Sequence, residues 1–378
     1  RLSYGKTGNQ DGIGNYAWQP LMSGGINYGN NSGMAVTSMG NNTLTWETAD
    51  QYDFGFDLGF WNGKLNMIAD VYLKNTNNLL YSMPLHGTSG FTSITNNIGS
   101  MRNYGVEFSI NGHMNLGKVN WTSSFNISHN KNKLTKLLGD DLLPIGSNRA
   151  LKVGEELGAF YLFQMDGIYQ YDGEVPQPLY DLGVRAGDVK YHDVDNNGII
   201  NDSDRVLTGS SNPDFFGGWN NTFKYKGFQL DVFFTYMYGN DVYAEWAVTA
   251  TRPGYRMAIT EDAAKNRWTA PGSSNKYPRA VNTLCGHNSK NSTRFLEDGS
   301  FIRLRSLTFS YTFPQVMLQK IRMKGLRLYV QGDNLLLFSK YSGWDPEVSK
   351  NMDPQYFGVD LYGVPPSRSV NFGINLSF

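Results

Sequence analysis

The chain has 378 residues, and 33 Lys and Arg against 33 Asp and Glu leave it formally neutral at pH 7. That balance gives no basis for a nucleic-acid partner, which would call for a basic face. The single Cys285 excludes an intramolecular disulfide framework, and five scattered histidines argue against structural zinc. No apolar run approaches the roughly 20 residues of a membrane-spanning helix, but barrel strands need only about ten alternating residues each.

In chain order, Arg1 to Thr7 reads as the end of a strand, and the Gly/Asn/Ser-rich stretch to about Asn42 as a loop. Tyr52, Phe54, Phe56, Leu58 and Phe60 then alternate with Asp53, Gly55, Asp57 and Gly59. Side chains of a strand alternate between its faces, so this segment has one aromatic and one acidic face. Asn62-Gly63 predicts a two-residue hairpin turn, and the return strand points Leu65, Met67, Ala69, Val71 and Leu73 outward. A loop is expected from about Asn75 to Gly99. Tyr104, Val106, Phe108 and Ile110 mark the next strand, opposite Gly105, Glu107, Ser109 and Asn111. A short turn near Asn115 to Lys118 leads to Trp121, Phe125 and Ile127.

After about Lys133 no comparable strand is expected until Trp219, Phe223 and Tyr225, a gap of roughly eighty residues that exceeds ordinary loops. Lys226-Gly227 then turns into a strand carrying Phe228, Leu230, Val232, Phe234, Tyr236 and Tyr238 outward. A second long connection runs from about Asn240 to Gly299, with a short helix expected within Tyr255 to Trp268. Leu307, Phe309, Tyr311 and Phe313 mark a strand with Arg303 and Arg305 near its start and a bulge expected near Ser306. A turn from Pro314 to Gly325 leads to Leu326, Leu328 and Val330. A loop with Trp344, Pro346, Pro365 and Pro366 precedes the last strand. There Val370, Phe372, Ile374, Leu376 and Phe378 face one way, and Ser369, Asn371, Gly373, Asn375 and Ser377 the other.

These are about ten strands whose connections alternate between short turns and long loops, the pattern of an antiparallel outer-membrane β-barrel with long extracellular loops. The apolar faces would meet lipid and the polar faces a water-filled lumen. Phe372, Ile374, Leu376 and Phe378 would form the barrel's C-terminal signal, on a strand ending in the periplasm. A soluble β-sandwich would also alternate, but its loops need not alternate long and short. Arg1 is no initiator Met and falls inside a strand pattern, so the chain is expected to be a fragment.

Several stretches resemble the SusC/RagA-like family of TonB-dependent outer-membrane transporters of Bacteroidota. They include Ser3 to Asn9, Gly99 to Glu107, Gly187 to Arg205, Gly217 to Phe234, Arg294 to Tyr311, Val330 to Leu335 and Lys340 to Pro346. The resemblance implies the last strands, about ten, of a barrel of about 22, residues 1–378 being the C-terminal part of one barrel domain. It further implies that the N-terminal plug and first strands lie upstream. The implied partners are a SusD-like substrate-binding lipoprotein and, through the missing N-terminal region, the TonB-ExbB-ExbD complex. The implied cargo is an oligosaccharide or, next, an oligopeptide. A passive porin or adhesin barrel and a secreted calcium-dependent carbohydrate-binding module are the alternatives.

The sharpest local motif places oxygen donors at Asp193, Asp195, Asn197, Asn201 and Asp204, with Gly198 for the turn and the Ile199 carbonyl as a further donor. This is the spacing of an EF-hand-type calcium loop, with Asp where the last ligand is usually Glu, and Ile200 would pack inward. A solvated Asx-rich turn is the alternative, and no flanking helices are evident. Trp246, Trp268, Tyr341 and Trp344, in the long loops, are candidates for contacting substrate or partner. Asp53, Asp57, Asp70, Glu107 and Asp231 recur on successive lumen faces, which fits hydration and plug contact, so no enzyme activity is expected.

Overall fold

The computed structural model describes residues 1–11, 13–139, 142–254, 257–282, 286–319, 322–352 and 356–378. Cys285 lies outside the described residues, as does Tyr255 at the head of the expected helix. Ten strands form one antiparallel sheet: β1 (Leu2–Asn9), β2 (Glu47–Phe60), β3 (Leu65–Pro84), β4 (Ser93–Leu116), β5 (Val119–Leu137), β6 (Phe215–Tyr225), β7 (Phe228–Tyr238), β8 (Phe301–Thr312), β9 (Gly325–Ser339) and β10 (Ser369–Ser377). Each pairs with its neighbour in chain order, and the sheet is open, a partial barrel with β1 and β10 at its edges.

The period-two pattern explains the two faces. Tyr52, Phe54, Phe56, Leu58 and Phe60 on β2 and Val370, Phe372, Ile374 and Leu376 on β10 are exposed on the apolar face. The opposite face gathers Ser3, Gln51, Asp53, Asp70 and Glu107. Such an apolar face would drive aggregation in water but is at ease in hydrocarbon, where the ladder satisfies every backbone group between the edges. No described helix is long and apolar enough to cross a membrane.

Local signals set the short ends. Asn62 (φ 55°) and Gly63 (φ 81°) are both left-handed, and Lys64 N–H donates to the Trp61 carbonyl at 3.3 Å, closing the expected turn. The expected bulge is at Arg305, since Leu304 and Ser306 pair with both β7 and β9 and Arg305 pairs with neither. The helix expected in the second long connection is Glu261–Lys265, capped by Thr260 Oγ1 accepting from Ala263 N–H.

Two expectations need correction. The loop predicted from Asn75 to Gly99 is largely strand, with only 85–92 left between β3 and β4. A polar run at 75–78 is followed by the adjacent Leu79, Leu80 and Tyr81, so strict alternation is lost while the backbone ladder continues. Asn78 (φ 60°) takes up register shifts, and its carbonyl accepts from Asn97 Nδ2 at 2.8 Å. The long connections are also not irregular. Connection 138–214 folds a four-stranded sheet from Leu142–Ile145, Arg149–Lys152, Ala159–Phe163 and Arg205–Ser210. Asp241–Ala244 pairs antiparallel with Leu296–Asp298 and parallel with Val359–Asp360, joining connections 239–300 and 340–368. Phe160, Leu162, Val242, Tyr243, Phe295, Tyr341 and Val359 then form one core drawn from all three connections. The three make a single packed crown at one end of the sheet.

One close approach tests the wall. Gly105 is opposite Tyr72, and a Cβ on it would lie 2.6 Å from the His129 carbonyl oxygen and 2.8 Å from the Tyr72 ring. The carbonyl belongs to the ladder and cannot withdraw. Gly105→Val is therefore expected to destabilise the wall by about 1–3 kcal/mol. The check is a lower temperature for the heat-induced shift in gel mobility of the full-length gene product.

Candidate functional site

The crown and the polar mouth below it hold the groups that could meet a solute. On the wall, Arg1 Nε is 2.7 Å from Asp57 and its Nη2 is 2.9 Å from Asp70, beside a hollow of about 560 Å³ that Glu107 also lines. Asp231 accepts from Thr222 Oγ1 at 2.7 Å and from Gln229 Nε2. These carboxylates are spread along the wall, and Asp57, Asp70 and Asp231 are held in hydrogen bonds or ion pairs.

At the rim, the bulged strand start of β8 ties the last connection down. Arg303 and Asp345 are both almost fully buried and paired at 2.6 Å. Glu347 lies 3.1 Å from Arg303 Nε in an ion pair and accepts from Arg305 Nη2 at 3.0 Å, and its own N–H donates to Asp345 Oδ1 at 2.8 Å. Arg303 and Arg305, two residues apart, share a strand face and reach the same carboxylate, and the bulge at Arg305 shifts the phase of the strand after them. Sequence reasoning noted the two arginines but not their partners, which come from a loop about forty residues on with no periodic signal.

The four candidate aromatics separate by environment. Trp246 packs on the crown core and donates from Nε1 to Tyr341 Oη at 3.0 Å; Tyr341 is buried and donates to Asp360 Oδ2 at 2.7 Å. Burial, then the bond to Asp360, push the Tyr341 hydroxyl pKa far up, so it stays a donor. Trp268 is half-buried against Gly187 and donates to Gln170 Oε1 at 3.1 Å. Trp344, 79% exposed, projects from the last connection two residues before Pro346. Its neighbour Asp345 is the buried anchor, so a fixed backbone presents a free indole.

The acidic motif lies in connection 138–214. Asp193, Asp195 and Asp204 each bring a carboxylate oxygen within 4.8 Å of the others, and none of the three is ion-paired among the described residues. Asp193 accepts from Asn197 and Gly198 N–H, and Asn197 Oδ1 accepts from Ile199 N–H at 2.7 Å. Buried Asp204 accepts from Val194 N–H at 2.9 Å and Asn201 N–H at 2.8 Å, while Asn201 Oδ1 caps Ser203 N–H. Desolvation pushes the Asp193 carboxyl up, but the Gly198 and Asn197 N–H groups outweigh it and hold it below the usual carboxylate range. Ile200 is buried in a core with Tyr169, Val189 and Tyr191. Converging hard oxygens with lone pairs beyond those bonds suit a calcium-sized cation.

Removing the rim anchor should loosen what it holds. Asp345→Ala leaves Arg303 buried and without its closest carboxylate, and is expected to cost about 3–5 kcal/mol. Hydrogen exchange should then rise across 340–352 while β8 and β9 stay protected; unchanged exchange would show that the pair holds nothing.

Comparison with known proteins agrees with this architecture. Residues 1–335 match the family described as TonB dependent receptor-like, beta-barrel. TonB-dependent receptor P3 of Formosa agariphila is 33% identical, the match covering 92% of this chain and 36% of that protein. TonB-dependent receptor SusC of Bacteroides thetaiotaomicron is 28% identical over all of this chain and 37% of its own length. The solved structure of the RagAB peptide transporter superposes with a TM-score of 0.85 at 27% identity, covering 100% of this chain and 40% of the matched one. The chain thus spans about two fifths or less of the length of these relatives.

Proposed function

The chain belongs to the TonB-dependent receptor-like β-barrel family, and from that premise we propose that it is the C-terminal part of a barrel importing an oligosaccharide across the outer membrane. In this reading the missing strands close the wall and a plug fills the lumen, moved by the TonB-ExbB-ExbD complex. A SusD-like lipoprotein meets the crown and encloses the cargo with it. The observation that carries the reading is the crown itself: three long connections share one core at a single end of the sheet, a rigid platform above a polar mouth. Trp344 offers a flat, anchored ring of the kind that stacks on sugar faces. An oligopeptide is the second cargo, favoured by the likeness to the RagAB peptide transporter.

Uptake of labelled oligosaccharides and oligopeptides by cells carrying the full-length gene tests this. Uptake should stop when a protonophore collapses the inner-membrane gradient; persistence would mean a passive porin. Trp344→Ala should weaken cargo binding by about 1–2 kcal/mol, roughly five- to thirtyfold.

The same proposal places Ca²⁺ in the 193–204 loop, held by Asp193, Asp195, Asn197, Asn201, Asp204 and the Ile199 carbonyl, where it would neutralise three converging carboxylates and stiffen the loop. Asp195→Ala should weaken calcium binding at least about tenfold by calorimetry. It should also remove calcium's protection of this loop from proteolysis. Equal binding by the variant would leave the loop as an Asx-rich turn.

A further inference from the structure

A half-open apolar cavity of about 370 Å³ lies where β3, β4 and β5 run past the barrel wall and meet the four-stranded sheet of connection 138–214. Leu79, Ile98, Leu134, Leu151 and Leu157 line it, and several of them form a small core between wall and crown. Arg149 is set into this apolar lining. Its guanidinium lies 4.8 Å from the Phe160 ring centre, and Nη2 donates to Ser211 Oγ at 3.1 Å and to the Phe357 carbonyl. Its Nε is buried with no hydrogen-bond partner.

Among the described residues no carboxylate pairs with Arg149. Glu156, which accepts from the lining residue Asn212 at 3.2 Å, forms no ion pair with it. Burial pulls the guanidinium pKa down to about 10, so it is charged at neutral pH. A desolvated cation without a counter-charge is costly, and burial beside leucines makes it more so. A guanidinium is a cation suited to a carboxylate in charge and hydrogen bonding. The space beside it is near the small end of ligand pockets, about 300–1,000 Å³.

We propose that this cavity binds a small carboxylic acid with a compact apolar body. The carboxylate sits against the Arg149 guanidinium where it lines the cavity, and the body lies among Leu79, Ile98 and Leu134. The C-terminal residue of a peptide and a free branched-chain acid share this chemistry. The site lies off the polar mouth, so the inference does not rest on the import reading.

The test is calorimetric titration of the detergent-solubilised full-length gene product with N-acetyl-leucine, isocaproate and the neutral N-acetyl-leucinamide. At least one acid should bind saturably, and the amide at least about tenfold more weakly than N-acetyl-leucine if that acid binds. Arg149→Gln should weaken the acid by about ten- to a hundredfold. Leu80→Trp, which narrows the cavity and leaves Arg149 in place, should abolish binding, and it keeps the test decisive if Arg149→Gln does not fold. Tighter binding of N-acetyl-leucine assigns the site to peptide termini, and tighter isocaproate to free acids. No saturable binding of either acid, an amide that binds as well as its acid, or an unchanged Arg149→Gln affinity would overturn the proposal.

Discussion

Backbone hydrogen bonding inside a hydrocarbon layer is the constraint on which this molecule depends. No water reaches a lipid-facing strand, so each N–H and C=O must pair with a neighbouring strand, and the sheet extends strand after strand in chain order. That requirement leaves side chains free to specialise by face. Phe54 and Phe56 pack edge to face on the apolar side with centroids 4.8 Å apart, while Asp53 and Asp70 line the polar side.

Beyond the membrane the constraint changes, and so does the architecture. Water can satisfy a loop's backbone there, so order in the connections has to come from burial. Tyr243 shows how: its ring is buried among Phe160 and Phe295, its hydroxyl donates to Asn291 Oδ1 at 2.9 Å, and its backbone pairs with Val359. Three segments far apart in sequence become one body through such residues. The Arg303–Asp345 pair then fixes that body to the wall, next to a bulge, where two arginines on one strand face share one acidic partner segment.

Burial also sorts the polar groups of the crown by what they can do. Trp246, Tyr341 and Asp360 form one hydrogen-bonded chain within the crown. Trp344 is held by its neighbours and keeps its own ring free. The acidic loop uses one set of lone pairs to shape itself and turns the rest inward. Arg149 is largely desolvated, with polar neighbours and no ion pair among the described residues.

The sequence alone determined the wall. Alternation from Tyr52 to Phe60 and from Val370 to Phe378, the Asn62-Gly63 turn and the break at Ser306 are local signals, and strand geometry reads them directly. The motif from Asp193 to Asp204 was legible for the same reason, since its spacing lies within one short segment. Where strict alternation broke, from Asn75 to Asn97, with a polar run and then adjacent apolar residues, the signal disappeared although the ladder did not. Tertiary structure alone decided the crown core, the partners of Arg303 and the setting of Arg149. Each joins residues tens to hundreds of positions apart, as Arg149 meets the Phe357 carbonyl, and no local period encodes a contact between segments that meet only after both have folded.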